Sequence, residues 1–170
     1  ETNVPVTMNQ QAEKIGANFL QIGEDFGYYT EQKQWHFWGS NGKRNCLPYP
    51  ALQGAIQLNN ASACLAALDV LEEYLPVSMN DIRDGLLDVL LPGRFQIFSS
   101  HPMVILDVAH NPDAAHFLAD NLDAMQSYRH TYAVFAMLKD KDIIGVVKAL
   151  KHCVDVWLIS TIYVPRGAHA

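Results

Sequence analysis

The 170-residue sequence has no long apolar run, no basic run and no paired cysteines. Its most apolar segments, such as Val104-Ile105-Leu106 and Val156-Trp157-Leu158-Ile159, fall far short of the roughly 20 residues a spanning helix needs, so no membrane role is expected. Lys and Arg number 12 against 18 Asp and Glu, for a formal net charge of −6. Without clustered cations nothing can track a phosphate backbone, and no nucleic-acid partner is expected. Cys46, Cys64 and Cys153 are far apart and form no CxxC pair, which argues against a zinc site or a disulfide framework and fits a reducing, cytoplasmic setting. The opening Glu1-Thr2-Asn3-Val4-Pro5 has neither the basic nor the apolar region of a secretion signal. It also lacks a starting Met, and the chain stops just after the turn-like Pro165-Arg166-Gly167, so both ends are expected to be cut edges of a longer polypeptide.

Several catalytic fingerprints are missing as well. No G-x-x-x-x-G-K-[ST] phosphate loop occurs; Gly39-Ser40-Asn41-Gly42-Lys43 has the wrong spacing and falls in a predicted hairpin. There is no G-x-G-x-x-G for a dinucleotide and no G-x-S-x-G for a serine hydrolase. His101, His110 and His116 lack the i, i+4 spacing of helical metal ligands, so no zinc is expected and no metal ligand is assigned within the chain.

What is present is an apolar content of 49%, enough for one medium domain or two incomplete ones. Periodicity and punctuation predict a helix over 8–16, a strand over 18–22 and antiparallel hairpins over 23–45, with Asn41-Gly42 as a turn signal. Pro48 and Pro50 make 46–50 a stiff loop. A helix over 60–75 follows, then a second one introduced by Ser78 and Asp81 in capping-box spacing, with Ile82, Leu86, Val89 and Leu90 on its apolar face. Pro92-Gly93 stops that helix and marks the predicted domain boundary. Beyond it, strands over 95–99, 103–108, 131–137 and 154–160 and helices over 113–125 and 143–150 predict an α/β unit with a mainly parallel sheet.

Leu106-Asp107-Val108-Ala109-His110-Asn111-Pro112 places an Asp, a His and an Asn at the carboxyl end of a buried strand, where open α/β sheets bind ligands. Asn111 and Pro112 suit the start of the next helix. Asp107 can accept from ribose hydroxyls, and His110 can assist proton transfer or hold an anion; on chemistry alone these readings stand level with structural ones. Arg94, in Leu91-Pro92-Gly93-Arg94-Phe95 at the junction of the two halves, can neutralise phosphate charge, although a solvated loop Arg is the commoner case. Gly54-Ala55-Ile56-Gln57-Leu58-Asn59-Asn60-Ala61 offers side-chain amides that either cap a helix or contact a nucleotide. Lys139-Asp140-Lys141-Asp142 is a charged loop at another strand end, a position more often merely solvated.

Taken in order, Asn60-Ala61, Leu91-Pro92-Gly93-Arg94-Phe95, Asp107-Val108-Ala109-His110-Asn111-Pro112, Lys139-Asp140-Lys141-Asp142 and Pro165-Arg166-Gly167 resemble the dihydrofolate synthase/folylpolyglutamate synthase branch of the Mur ligase superfamily. The resemblance runs over essentially the whole chain. It implies that residues 1–92 are the end of a P-loop-type central ATPase domain and 93–170 the start of a Rossmann-like C-terminal, glutamate ligase domain. It further implies a ligase that phosphorylates the carboxylate of dihydropteroate or a folate with ATP and lets L-glutamate attack the acyl phosphate, acting as a monomer on small molecules. By position Asn60 and Asp107 are similar to the family's nucleotide-contacting Asn and ribose-side Asp. Arg94 is similar to its phosphate-contacting Arg, and His110 to its active-site His. The phosphate loop, the carbamylated lysine and the ligands for Mg2+ are implied to lie upstream of Glu1, so the chain alone is expected to be inactive. Ile56 stands where the family often carries His. Two other readings stay open: a non-catalytic nucleotide-binding or scaffolding module of the same fold, and a peptidoglycan-precursor Mur ligase.

Overall fold

A computed structural model of the chain describes residues 4–52, 54, 56–125 and 128–170. The first three residues, and Ala55 of the Gly54–Ala61 motif, lie outside the described residues. The chain divides into two compact units, Glu1–Leu90 and Leu91–Ala170. No described helix is long and apolar enough to cross a membrane.

In the first unit, helix α1 (Val6–Ile15) ends on Gly16, whose left-handed backbone (φ 65°) lets its amide reach back to the Ala12 and Glu13 carbonyls. The strand expected over 18–22 does not form; Ile22 makes only an isolated bridge to Phe26. Asp25 explains why. Its carboxylate takes the Gln21 amide (2.7 Å), and its own amide donates to the Gln21 carbonyl (2.9 Å), so a tight turn satisfies groups that a ladder would otherwise need. Leu20 and Ile22 still pack on the core.

Strands β1 (Gly27–Glu31), β2 (Gln34–Gly39) and β3 (Gly42–Leu47) form an antiparallel meander in the order β1-β2-β3. The β2–β3 turn falls at Ser40-Asn41, one residue ahead of the Asn41-Gly42 signal, and Gly42, the first residue of β3, takes φ 98°. Against this sheet lies α2 (Ile56–Val70), which begins earlier and ends earlier than the expected 60–75. Trp35, Phe37 and Leu47 are fully buried between sheet and helix with Leu65 and Ala66. Helix α3 (Met79–Asp88) carries the expected capping box: the Asp81 amide donates to Ser78 Oγ, and the Ser78 amide donates to the Asp81 carboxylate. Of its expected apolar face Ile82 is buried, whereas Leu90 lies past the helix and is exposed.

One feature of this core carries no sequence signature. Arg44 on β3 meets Asp69 on α2 at 2.5 Å, and the Asp69 side chain is wholly buried. The guanidinium also lies over the Phe37 ring, 5.4 Å from its centroid. Neither Asp69 oxygen has an aligned hydrogen-bond donor, so charge proximity rather than hydrogen-bond geometry holds the pair.

In the second unit β4 (Gln96–Ser100) and β5 (Met103–Leu106) pair with each other antiparallel. The two-residue turn at 101–102 leaves no room for the crossover a parallel pair requires. Parallel pairing occurs between β6 (Tyr132–Phe135) and β7 (Val156–Ile159). Helices α4 (Pro112–Asp123) and α5 (Ile143–Leu150) supply the second core, in which Ala115, Ala119, Val146 and Ala149 are buried with Phe135 and Trp157 packed against them. The small residues let the helices approach closely, and the two rings meet edge to face at 5.4 Å.

Removing one member of a buried ion pair strands the other charge, at about 3–5 kcal/mol. Arg44→Met should therefore lower the unfolding free energy by about that much. The double variant Arg44→Met/Asp69→Leu should recover most of it in a denaturant-unfolding double-mutant cycle; purely additive losses would show that the pair is not coupled.

Candidate functional site

The segment 107–112 is built by its own side chains. Asp107 follows β5, and its carboxylate accepts from two backbone amides, Ala109 (2.7 Å, Oδ1) and Phe95 (2.8 Å, Oδ2). The first bond closes a local Asx turn. The second ties this turn to the residue just ahead of β4. Phe95 has φ 45°, unusual for a non-glycine residue, and is held there by this bond and by burial of its ring. The Val108 amide donates to the Gly93 carbonyl (2.9 Å). Gly93 itself takes φ 70°, and a Cβ on it would stand 2.7 Å from a Val108 methyl, so the position demands glycine twice over.

His110 is exposed, and its Nδ1 lies 3.0 Å from the Val108 carbonyl. A carbonyl only accepts, so Nδ1 carries the proton and the neutral ring presents its lone pair on Nε2. Asn111 caps α4 through the Ala114 amide (2.8 Å), with Pro112 in the first turn. Asn111 and Pro112 thus have the structural role their order suggests, whereas Nε2 of His110 is available to a ligand.

Arg94 sits in the same pinned stretch, exposed between buried Gly93 and buried Phe95. Among the described residues no carboxylate pairs with it. Arg83 on α3 is also unpaired among them, so lack of a partner is not by itself informative. What sets Arg94 apart is a backbone fixed on both sides, which reduces the freedom lost when the guanidinium grips an anion.

The loop after β6 is fastened in a different way. Arg166 forms a forked pair with Asp140 (Nε–Oδ1 3.1 Å, Nη2–Oδ2 2.6 Å). Lys141 lies 3.8 Å from the same carboxylate. The Lys139 amide donates to the Arg166 carbonyl (2.8 Å), and Leu138 bridges Gly167. A Cβ on Gly167 would run into the Ile162 carbonyl oxygen. Asp142 caps α5 by accepting from the Gly145 amide (2.8 Å). This loop, left as merely charged in the sequence, is therefore an organised clasp. Arg166's partner Asp140 lies 26 residues away, and nothing in the local pattern announces it.

In the first unit Asn60 lies inside α2 and is exposed. Its amide bonds the Gln57 side chain (3.1 Å), and among the described residues it caps no backbone amide and nothing donates to its Oδ1. Asp107, His110 and Arg94 share one short backbone framework in the second unit, and Asn60 belongs to the first.

Residues 93–170 match the Mur ligase, glutamate ligase domain family. Over 170 residues the chain is 40% identical to the dihydrofolate synthase/folylpolyglutamate synthase of Escherichia coli (strain K12), covering all of this chain and 39% of that one. It superposes with a TM-score of 0.86 on a structure of E. coli FolC in complex with ADP, without folate substrate, at 40% identity over 98% of this chain and 39% of the other. A bifunctional folylpolyglutamate synthase/dihydrofolate synthase with Mn, AMPPNP and L-glutamate bound gives a TM-score of 0.83 at 36% identity, again covering 98% and 39%. The chain thus spans about 39% of the length of these relatives.

Two outcomes test this geometry. Asp107→Asn keeps one acceptor oxygen and turns an amino group toward the other amide, so it should cost about 1–3 kcal/mol in chemical unfolding. An unchanged midpoint would mean that the turn does not depend on the carboxylate. The hydrogen bond from Arg166, ahead of the Arg166 and Lys141 charges, holds the Asp140 carboxyl below the usual aspartate range. A depressed carboxyl stabilises the fold above the unfolded value of about 3.9 and loses that contribution as pH falls through the folded value. An NMR titration of Asp140 should show a midpoint below that range, which Arg166→Ala restores.

Proposed function

Because the chain belongs to the dihydrofolate synthase/folylpolyglutamate synthase family of Mur ligases, we propose that it forms part of an ATP-dependent acid–amino-acid ligase. That enzyme joins L-glutamate to dihydropteroate or a folate through an acyl phosphate. Residues 1–92 are assigned to the end of its central ATPase domain and 93–170 to its glutamate ligase domain. The proposed enzyme is a cytoplasmic monomer acting on small molecules, without nucleic-acid or membrane partners.

The observation that carries the residue assignment is the pinned stretch from Gly93 to Asn111. Asp107 holds Arg94 and His110 on one rigid frame, which is what phosphoryl transfer asks of a protein: positioned charge rather than covalent help. Arg94 is assigned to phosphate oxygens, where its fork neutralises charge as the γ-phosphoryl group moves to the acceptor carboxylate. His110 Nε2 has its lone pair free when neutral, and is assigned either to take the proton released as the glutamate amine attacks or, once protonated, to hold an anionic group. A carboxylate offers about four lone-pair sites, so Asp107 can serve two backbone amides and still accept from ribose hydroxyls. Asn60 is assigned to the nucleotide through its free amide oxygen. Mg2+ would neutralise the polyphosphate when bound, and its ligands are assigned to protein outside this chain.

The names of the relatives favour a folate over a muramyl acceptor. The test uses the full-length enzyme. Arg94→Ala should reduce kcat for folate- and glutamate-dependent ADP release about 10²–10³-fold, as loss of a charge-stabilising donor does, while shifting the unfolding midpoint little, because an exposed Arg contributes little to folding. Unchanged turnover removes Arg94 from the mechanism, and turnover with a muramyl substrate in place of folate overturns the folate assignment.

A further inference from the structure

Away from the 93–111 frame, a second group of chemically capable side chains comes together where α4 and α5 end. Asp123 is the last residue of α4, and His152 and Cys153 follow α5. One ligand atom from each, carboxylate oxygen, imidazole nitrogen and thiol sulfur, lies within 4.8 Å of the others. We propose that Asp123, His152 and Cys153 form a binding site for a divalent cation of the zinc class, with a solvent molecule in the fourth position.

The geometry is close to what such an ion imposes. His152 Nε2 stands 3.0 Å from Asp123 Oδ2; two tetrahedral ligands with bonds of about 2.0–2.1 Å stand roughly 3.3 Å apart. A small rotation therefore opens the pair around an ion. The Asp123 and His152 side chains are 56% and 57% exposed, so a hydrated cation can reach them, while Cys153 is half-buried behind them. Its sulfur makes only a weak contact, with the Leu150 carbonyl at 3.3 Å, which coordination would readily replace. Both helices end beside the cluster, and the partial negative charge of helix carboxyl ends favours a cation there.

The donor set selects the metal class. One nitrogen, one sulfur and one oxygen do not suit Mg2+ or Ca2+, which take oxygen ligands, and do suit zinc and its neighbours. A simple Asp–His surface pair accounts for two of the groups; Cys153 packs against the second core and still brings its sulfur within reach of both. The proposal does not rest on the ligase reading.

The test is spectroscopic and independent of turnover. The full chain, reduced and stripped of metal, is titrated with Co2+. The expected result is a thiolate-to-cobalt charge-transfer absorption, which sites with oxygen ligands alone cannot produce, with one equivalent bound and Zn2+ abolishing the signal. Cys153→Ser should lose the absorption, and Cys46→Ser and Cys64→Ser should keep it. Asp123→Asn, at an exposed position that folding tolerates, should weaken zinc competition at least tenfold. No thiolate band in the native chain, or a band that survives Cys153→Ser in protein with an unchanged circular dichroism spectrum, overturns the proposal.

Discussion

The 93–111 stretch of the second unit depends on one carboxylate. Asp107 takes the amides of Phe95 and Ala109, and by doing so joins the residue before β4 to the residues after β5. Without it the left-handed Phe95 would relax, the Gly93–Val108 contact would loosen, and the loop bearing His110 would have no fixed direction. The cost of holding Phe95 at positive φ, of order 1–3 kcal/mol, is offset by a charge-assisted bond and a buried ring. A site made of backbone this tightly specified needs few further interactions to orient its side chains.

That dependence bears on how the segment is read. Asp107 is both the acceptor that builds the turn and the residue assigned to ribose, and the two roles do not compete, because its backbone bonds use only some of its lone pairs. The fixed carboxylate is a better ligand for being fixed, since no side-chain freedom remains to be lost on binding. His110 illustrates the same economy: the bond from Nδ1 to the Val108 carbonyl orients the ring and sets the tautomer together. Structure and chemistry here draw on the same bonds.

The features legible in the sequence were those decided within a few residues. The Ser78–Asp81 box and the Asn111 cap ahead of Pro112 form as their spacing indicates, and the turn before Gly42 forms one residue ahead of its signal, because each is a bargain between neighbours along the chain. The strand expected at 18–22 failed because Asp25, just beyond the apolar run, supplied the Gln21 amide with a closer partner. Apolar content alone could not register that competition. The β4–β5 hairpin departed from the parallel pattern because turn length, not strand composition, decides direction. The Arg44–Asp69 pair, the Arg166–Asp140 clasp and the Asp123–His152–Cys153 group each join residues more than 20 positions apart. Such partners are made by packing, and no local pattern predicts them.

The arginines show how much this matters for function. Arg44 and Arg166 each face a carboxylate, and their charge is already engaged in structure. Arg83, Arg94 and Arg129 lack one among the described residues, yet Arg94 and Arg83 differ in what holds them. Arg83 is exposed on α3, and among the described residues no hydrogen bond or ion pair holds its side chain. Arg94 leaves a backbone constrained by Gly93 on one side and by the Asp107-bound amide of Phe95 on the other. An exposed cation on a rigid root loses less entropy when it meets an anion than one on a mobile root. It is this difference in preorganisation, more than the presence of an unpaired charge, that supports the proposed assignment of Arg94 to a phosphate.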